Sequence, residues 1–285
     1  MISLFPNALR GFKRLTVLIL FGDKITDAGL KELSGFKDLS EFHLGRSEVT
    51  DAGLAELRDL TDLKHLEIGY NFGITGSGLK ALKDADKLET LSLHDSGVTD
   101  EGMRGLRQFK NLTLLMFNNT SVTDDGLKNL KDLNRLKTLF LMQTDITGLG
   151  FKELTGLKAL NKVWLQNTKV SDEGLKEIGK LHQLAGLGLG GTKVTDLGLK
   201  HLKEMQQLTA LGLSNNAVTD AGLKELTGLS QLTQLNLAKT QVTDAGMKDL
   251  KELKKLTNLD LTDTAVTKEG VKELKESLPN CQIKR

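Results

Sequence analysis

A six-residue phrase, Val-Thr-Asp-Ala-Gly-Leu, recurs along this chain and restricts its possible folds more than any other feature. It stands at Val49–Leu54 and again at Val218–Leu223. Close copies begin at Ile25, Val98, Val122, Ile146, Val170, Val194, Val242 and Val266, with a looser one at Ile74. Alignment on the phrase gives a unit of 24 residues, L-x-x-L-x-L-x-x-T-x-V-T-D-x-G-L-x-x-L-x-x-L-x-x, whose first leucine appears 11 times between Leu15 and Leu256. A unit this short cannot enclose its own apolar face. It must stack on its neighbours, so the repeat predicts one elongated solenoid.

Each part of the unit has a physical reading. Leucines at the first, fourth and sixth positions alternate with other residues, the period of a strand with one face buried. The Thr or Ser at the ninth position (Ser47, Ser96, Thr120, Thr144, Thr168, Thr192, Thr240, Thr264) is expected to turn inward and satisfy backbone groups at the strand end. The later Thr is a helix N-cap, followed by Asp or Glu in the first turn, where the helix dipole favours an anion. Leu54, Leu57 and Leu60 show the spacing of a short helix or 3₁₀ segment. Glycine fills the fifteenth position of all 11 units, from Gly29 to Gly270. A helical glycine costs about 1 kcal/mol relative to alanine, so close approach of neighbouring turns is the expected compensation.

Parallel strands stack about 4.8 Å apart, whereas helices need about 10 Å. The predicted sheet is therefore concave, roughly 50 Å along its arc. The expected architecture is α/β, a curved horseshoe with an 11-stranded parallel concave sheet and short convex helices. Residues 1–14 read as an N-terminal capping segment, 15–277 as the repeats and 278–285 as a C-terminal cap, in one continuous domain.

Composition removes several functional classes. Net charge is +2, from 39 basic and 37 acidic residues mixed along the chain, which argues against nucleic acid or an anionic membrane as partner. No apolar run approaches the roughly 20 residues that span a bilayer. A single cysteine, Cys281, leaves no partner for an intrachain disulfide and favours a reducing, cytoplasmic setting, with secretion left open if a leader precedes Met1. There is no His-Glu-x-x-His, Cys-x-x-Cys, Gly-x-Ser-x-Gly or Walker-type loop, so no enzyme and no cofactor are expected.

On these units the chain resembles leucine-rich repeat proteins, over residues 15–280. The Thr-Asp-x-Gly-Leu phrase and the 24-residue period are similar to bacterial repeats of the ribonuclease-inhibitor-like and GALA-like kind. The resemblance implies a right-handed solenoid that serves as a protein-recognition scaffold.

Departures from the repeat mark candidate sites. Outward strand positions read Leu114 and Met116, then Phe140 and Met142, then Trp164, an aromatic and methionine group expected to bind a protein partner on the concave face. His94, Asn118, Asn119, Gln143, Lys162, Gln166 and Asn167 form its expected polar rim. Gly186, Gly188, Gly190, Gly191 and Gly212 are expected to leave a hollow beyond it. One extra residue within Tyr70-Asn71-Phe72-Gly73 predicts a bulge that puts Tyr70 and Phe72 at the rim of the sheet. Gly148, where most units have Asp, is expected to alter a helix cap and nothing else. Glu41, His43, His65 and Glu67 form a checkerboard on two adjacent strands, open to cross-strand charge pairing or to a Zn²⁺ ion. The second reading makes the chain a metal- or small-ligand-binding sensor.

Overall fold

Leucine at the first, fourth and sixth positions of a unit puts three apolar side chains on the same side of a strand, and that side is the core. In the eighth unit Leu184, Leu187 and Leu189 are fully buried, and Val194 follows them inside. This computed structural model describes residues 14–285. The expected capping role of residues 1–14 falls, apart from Arg14, outside the described residues. Contacts divide the chain into two compact units, the first ending at Phe140 and the second running from Leu141 to Arg285.

The first unit contains strands β1 (Val17–Phe21), β2 (Glu41–Gly45), β3 (His65–Gly69), β4 (Thr90–Ser92), β5 (Leu114–Met116) and β6 (Thr138–Phe140), each parallel to the next in chain order. The second contains β7 (Lys162–Trp164), β8 (Gly186–Gly188), β9 (Ala210–Gly212), β10 (Gln234–Asn236), β11 (Asn258–Asp260) and β12 (Gln282–Lys284), again parallel and sequential. The described residues thus hold 12 strands where 11 were expected. The additional one is β12, in the segment read as a cap. Cys281 is buried in a leucine-like place, and Gln282–Lys284 then pair with Asn258–Asp260 as a further parallel strand.

Strands β2 to β11 are each followed by a residue in the left-handed region. Arg46, Tyr70, Asp95, Asn119, Gln143, Asn167, Asn215, Lys239 and Asp263 have φ of 50 to 57°, and Gly191 has φ 68° at the same place. This turn brings the ninth residue inward, as expected. The hydroxyls of Ser96, Thr120, Thr144, Thr168, Thr192, Thr240 and Thr264 each donate to the carbonyl three residues back, at 2.6–2.8 Å. Asn71 and Asn216 take the position in two units and reach further, since each accepts through Oδ1 from the backbone and hydroxyl of the preceding unit's Ser47 or Thr192.

The short helices carry a feature that the repeat encodes and the sequence reading passed over. The Asp of one unit clasps the capping Thr of the next. Asp196 accepts from Thr219 N at 2.8 Å and from its Oγ1 at 2.6 Å, and Asp220 does the same for Thr243 at 2.8 and 2.7 Å. Asp27, Asp51, Asp100, Asp172 and Asp244 hold Thr50, Thr75, Thr123, Thr195 and Thr267 in the same way. The threonine then caps its own helix, as Thr219 Oγ1 does for Ala221 N at 3.2 Å. This clasp also explains the glycines. A Cβ on Gly126 would stand 2.5 Å from Asp100 Oδ1 and 2.5 Å from Met103 Sδ.

Two units have Gly in place of the Asp and solve the problem with backbone. Gly76 and Gly148 adopt φ 89° and 96°, and the carbonyls of Thr75 and Thr147 receive Thr99 N and Ser171 N instead. Their helices become 3₁₀, Ser77–Ala81 and Leu149–Leu154. The substitution at Gly148 therefore changes more than a cap: it replaces the carboxylate contact offered to the following unit with a backbone carbonyl.

Two clasping carboxylates titrate below the ordinary value of 3.8. At Asp51 burial pushes the pKa up, but bonds from the Thr75 hydroxyl and from the Gly78 and Thr75 amides outweigh it. At Asp244 the Thr267 hydroxyl and amide lower it. A carboxyl depressed on folding stabilises above its unfolded value and loses that contribution as pH falls through its folded value. The melting midpoint should therefore hold above pH 3.8 and drop below it, and the drop should shrink in the Asp51→Asn, Asp244→Asn double variant. Parallel pH profiles of the two proteins, recorded by circular dichroism, would refute the clasp as the source.

Candidate functional site

Side chains at the strand positions between the core leucines point to the open face of the sheet. On the first unit the face begins with an apolar row that the sequence reading missed. Val17, Ile19 and Phe21 of β1 are exposed, Phe21 at 72%. The signal was present, since they occupy the same columns as Glu41 and His43 on the next strand.

Next to that row lies the histidine–glutamate checkerboard. Its register is as expected, with Glu41 opposite His65 and His43 opposite Glu67. His43 Nδ1 lies 2.9 Å from Glu67 Oε2, while Glu41 turns along its own strand to 3.9 Å from His43 Nε2. His94 Nδ1 bonds Ser92 Oγ at 2.9 Å and stands 4.0 Å from Glu67. Among the described residues no three His, Cys, Asp or Glu side chains are placed to hold a metal ion. What the geometry supplies is charge-assisted cross-strand pairing.

The bulge after β3 puts Tyr70 and Phe72 outside, at 49% and 77% exposure, while Asn71 between them is buried. Arg46 stacks 5.6 Å above the Tyr70 ring, and Tyr70 meets His94 edge-on at 5.4 Å. Gly45 and Gly69 leave room for Phe21 and His94 to lie across the sheet. The result is a hollow of ≈ 210 Å³ walled by Ile19, Phe21, Tyr70 and the two histidines His43 and His94.

Further along the first unit, Leu114 and Met116 of β5 and Phe140 of β6 are half-buried and outward, with Met116 and Phe140 directly paired in register. Beneath them Leu115, Phe117 and Leu139 already fill the core. Asn118 is half-buried beside this cluster, and Asn119, exposed, bonds Asp95 at 2.6 Å.

On the second unit Met142 and Trp164 are half-buried, and Gln143, Lys162 and Asn167 are exposed. The expected hollow over Gly186 and Gly188 is not open. Lys162 and Trp164 lie over Gly186, and Trp164 and Gln166 over Gly188, because nothing larger than hydrogen stands in their way. Gly212 does stay open, with only Gly188 Cα within reach at 3.7 Å. Around it lies a trough of ≈ 720 Å³ between Trp164 and the C-terminal strands.

A profile of the leucine-rich repeat region matches residues 91–284, more than half of the chain, and a second leucine-rich repeat profile matches residues 59–83. No curated protein sequence matches. Among solved structures the chain is similar to an internalin (inlF) from Listeria monocytogenes, with 22% identity and TM-score 0.60, covering 95% of this chain and 86% of that one. An internalin C2 from the same organism shares 25% identity over 67% of this chain and 74% of its own, with TM-score 0.52. A plant peptide hormone receptor in complex with RGF2 is similar at 15% identity and TM-score 0.59, and 99% of this chain spans 53% of it. Among the described residues, no helix is long and apolar enough to cross a membrane.

Proposed function

The chain belongs to the leucine-rich repeat family, and from that premise we propose that it is a non-enzymatic scaffold holding a protein partner on the open, concave face of its sheet. The observation that carries this reading is the cluster of Leu114, Met116 and Phe140 on the first unit. These side chains face outward although the leucines beneath them complete the core, so folding alone does not call for them. Methionine and aromatic groups within a polar surround have the composition of interface hot spots. On the second unit Trp164, with Met142, Gln143, Lys162 and Gln166 around it, has a similar composition, and the bulge of the first unit adds Tyr70 and Phe72. A solenoid offers such a face by construction, and the plant receptor, solved with RGF2 bound, is a protein of similar fold in complex.

The test is affinity capture from lysate on the immobilised chain, followed by titration of the captured protein. Met116→Ala with Phe140→Ala should weaken binding by about 2 kcal/mol or more, roughly 30-fold. The melting midpoint should stay within a few degrees, since half-exposed side chains contribute less to folding than core ones. Unchanged affinity in the double variant would place the partner elsewhere.

A further inference from the structure

We propose that the trough on the second unit binds a neutral oligosaccharide, with a pyranose ring stacked on Trp164 and its hydroxyls bonded by the amides of Gln234, Asn236, Asn258 and Gln282. The volume of ≈ 720 Å³ lies within the roughly 300–1,000 Å³ of small-molecule sites.

The aromatic wall is built for stacking. A Cβ on Gly186 would stand 3.8 Å from Trp164 Cζ2, and one on Gly188 would stand 2.6 Å from Cε3. Those two atoms are opposite corners of the six-membered ring, so the ring spans both glycines along β8. An indole held this way presents its electron-rich face, which attracts the weakly positive C–H groups on one side of a pyranose. The floor beside it is Ala210 and Gly212, where there is little side chain to exclude a ring.

The polar wall suits hydroxyls. Each primary amide carries two donors and one acceptor, which matches a pair of neighbouring hydroxyls, each of them both donor and acceptor. Gln234, Asn258 and Gln282 are register partners on consecutive strands and form a column with steps of about 4.8 Å. Asn236 and Asn258 are held by their oxygens, which accept from Ala238 N and Thr257 Oγ1, both at 2.9 Å, so their amino groups keep a fixed aim.

Charge and shape select against other ligands. The two charged side chains in the lining, Asp260 and Lys284, neutralise one another at 3.4 Å. A nucleic acid or a strongly charged peptide gains nothing there. An extended peptide needs apolar pockets for alternate side chains, whereas Leu211, Leu235 and Leu259 turn their side chains into the core and are only 2% exposed.

Trp164 is the chain's one tryptophan, so its fluorescence reports this site directly. A printed array of neutral oligosaccharides would select probes, and cellotetraose, maltotetraose and tetra-N-acetylchitotetraose would be titrated against the full chain. At least one sugar should give a saturable fluorescence change. Gln234→Ala with Gln282→Ala should weaken it at least tenfold, and Gly212→Leu should abolish it, both with the melting midpoint unchanged. Met116→Ala with Phe140→Ala should leave it intact, which separates this site from the protein-binding cluster. The proposal is overturned if the array and the three sugars give no saturable change, if the amide variant binds as the parent does, or if a neutral Gly-Ser peptide binds in preference to sugar.

Discussion

Gly126→Val is expected to destabilise the first unit by about 3 kcal/mol or more, while Lys128→Val, at the exposed end of the same short helix, should change stability by about 0.5 kcal/mol or less. The new Cβ would stand 2.5 Å from Asp100 Oδ1 and from Met103 Sδ. Met103 is fully buried and has little room to give. Asp100 is tied to Thr123 N at 2.8 Å and to its hydroxyl at 2.6 Å, and to retreat it must release both. Overpacking alone costs about 1–3 kcal/mol, and each bond to a charged acceptor adds roughly 1.5–3 kcal/mol when lost. The gain in helix propensity from removing a glycine, under about 1 kcal/mol, does not offset this. Urea unfolding of both variants decides the matter. Equal losses at Gly126 and Lys128 would show that the glycines are not there for want of space.

Asp220→Ala should cost about 2–4 kcal/mol, the second largest effect expected of a single substitution outside the leucine core. It removes both bonds to Thr243, leaving a partly buried amide without its acceptor and the hydroxyl to cap its helix unsupported. Partial exposure of the carboxylate keeps the figure below the sum of two buried charge-assisted bonds. Asp220→Asn should lose about half as much, because an amide oxygen still accepts from Thr243 N. The comparison is again made by urea unfolding, and an alanine variant as stable as the parent would rule out the clasp as a stabilising element.

The fold was legible because the repeat states its own period. Leucine alternation set the strand register closely enough to predict Glu41 opposite His65 and His43 opposite Glu67, and the structure has both. The inward hydroxyls were legible for the same reason, as a polar residue at a fixed place must find a backbone partner. The clasp was not, because Asp and Thr adjacent in sequence suggested a role within one helix. Their real partners lie in the following unit, 23 residues on for Asp220 and Thr243. At the candidate sites, outward position could be read but not side-chain direction. Trp164 and Gln166 fold sideways onto glycines, which moved the hollow from Gly188 to Gly212. The strand β12 was missed because its segment departs from the leucine pattern after Cys281.

The carboxylate clasp also bears on how a gene for such a chain can change length. A unit that has the Asp carries one half of the clasp for its successor, and its own Thr is the other half for its predecessor. Excision of residues 197–220 would join Asp196 to Ala221 and place Thr243 where Thr219 had been, with the Thr-Asp-Ala-Gly-Leu phrase restored across the junction. Duplication of the same stretch is equally silent. Slippage during replication can therefore lengthen or shorten the array without creating a faulty joint at such a seam. Copy number becomes a quantity that selection can adjust, and with it the span of the face on which a ligand is held.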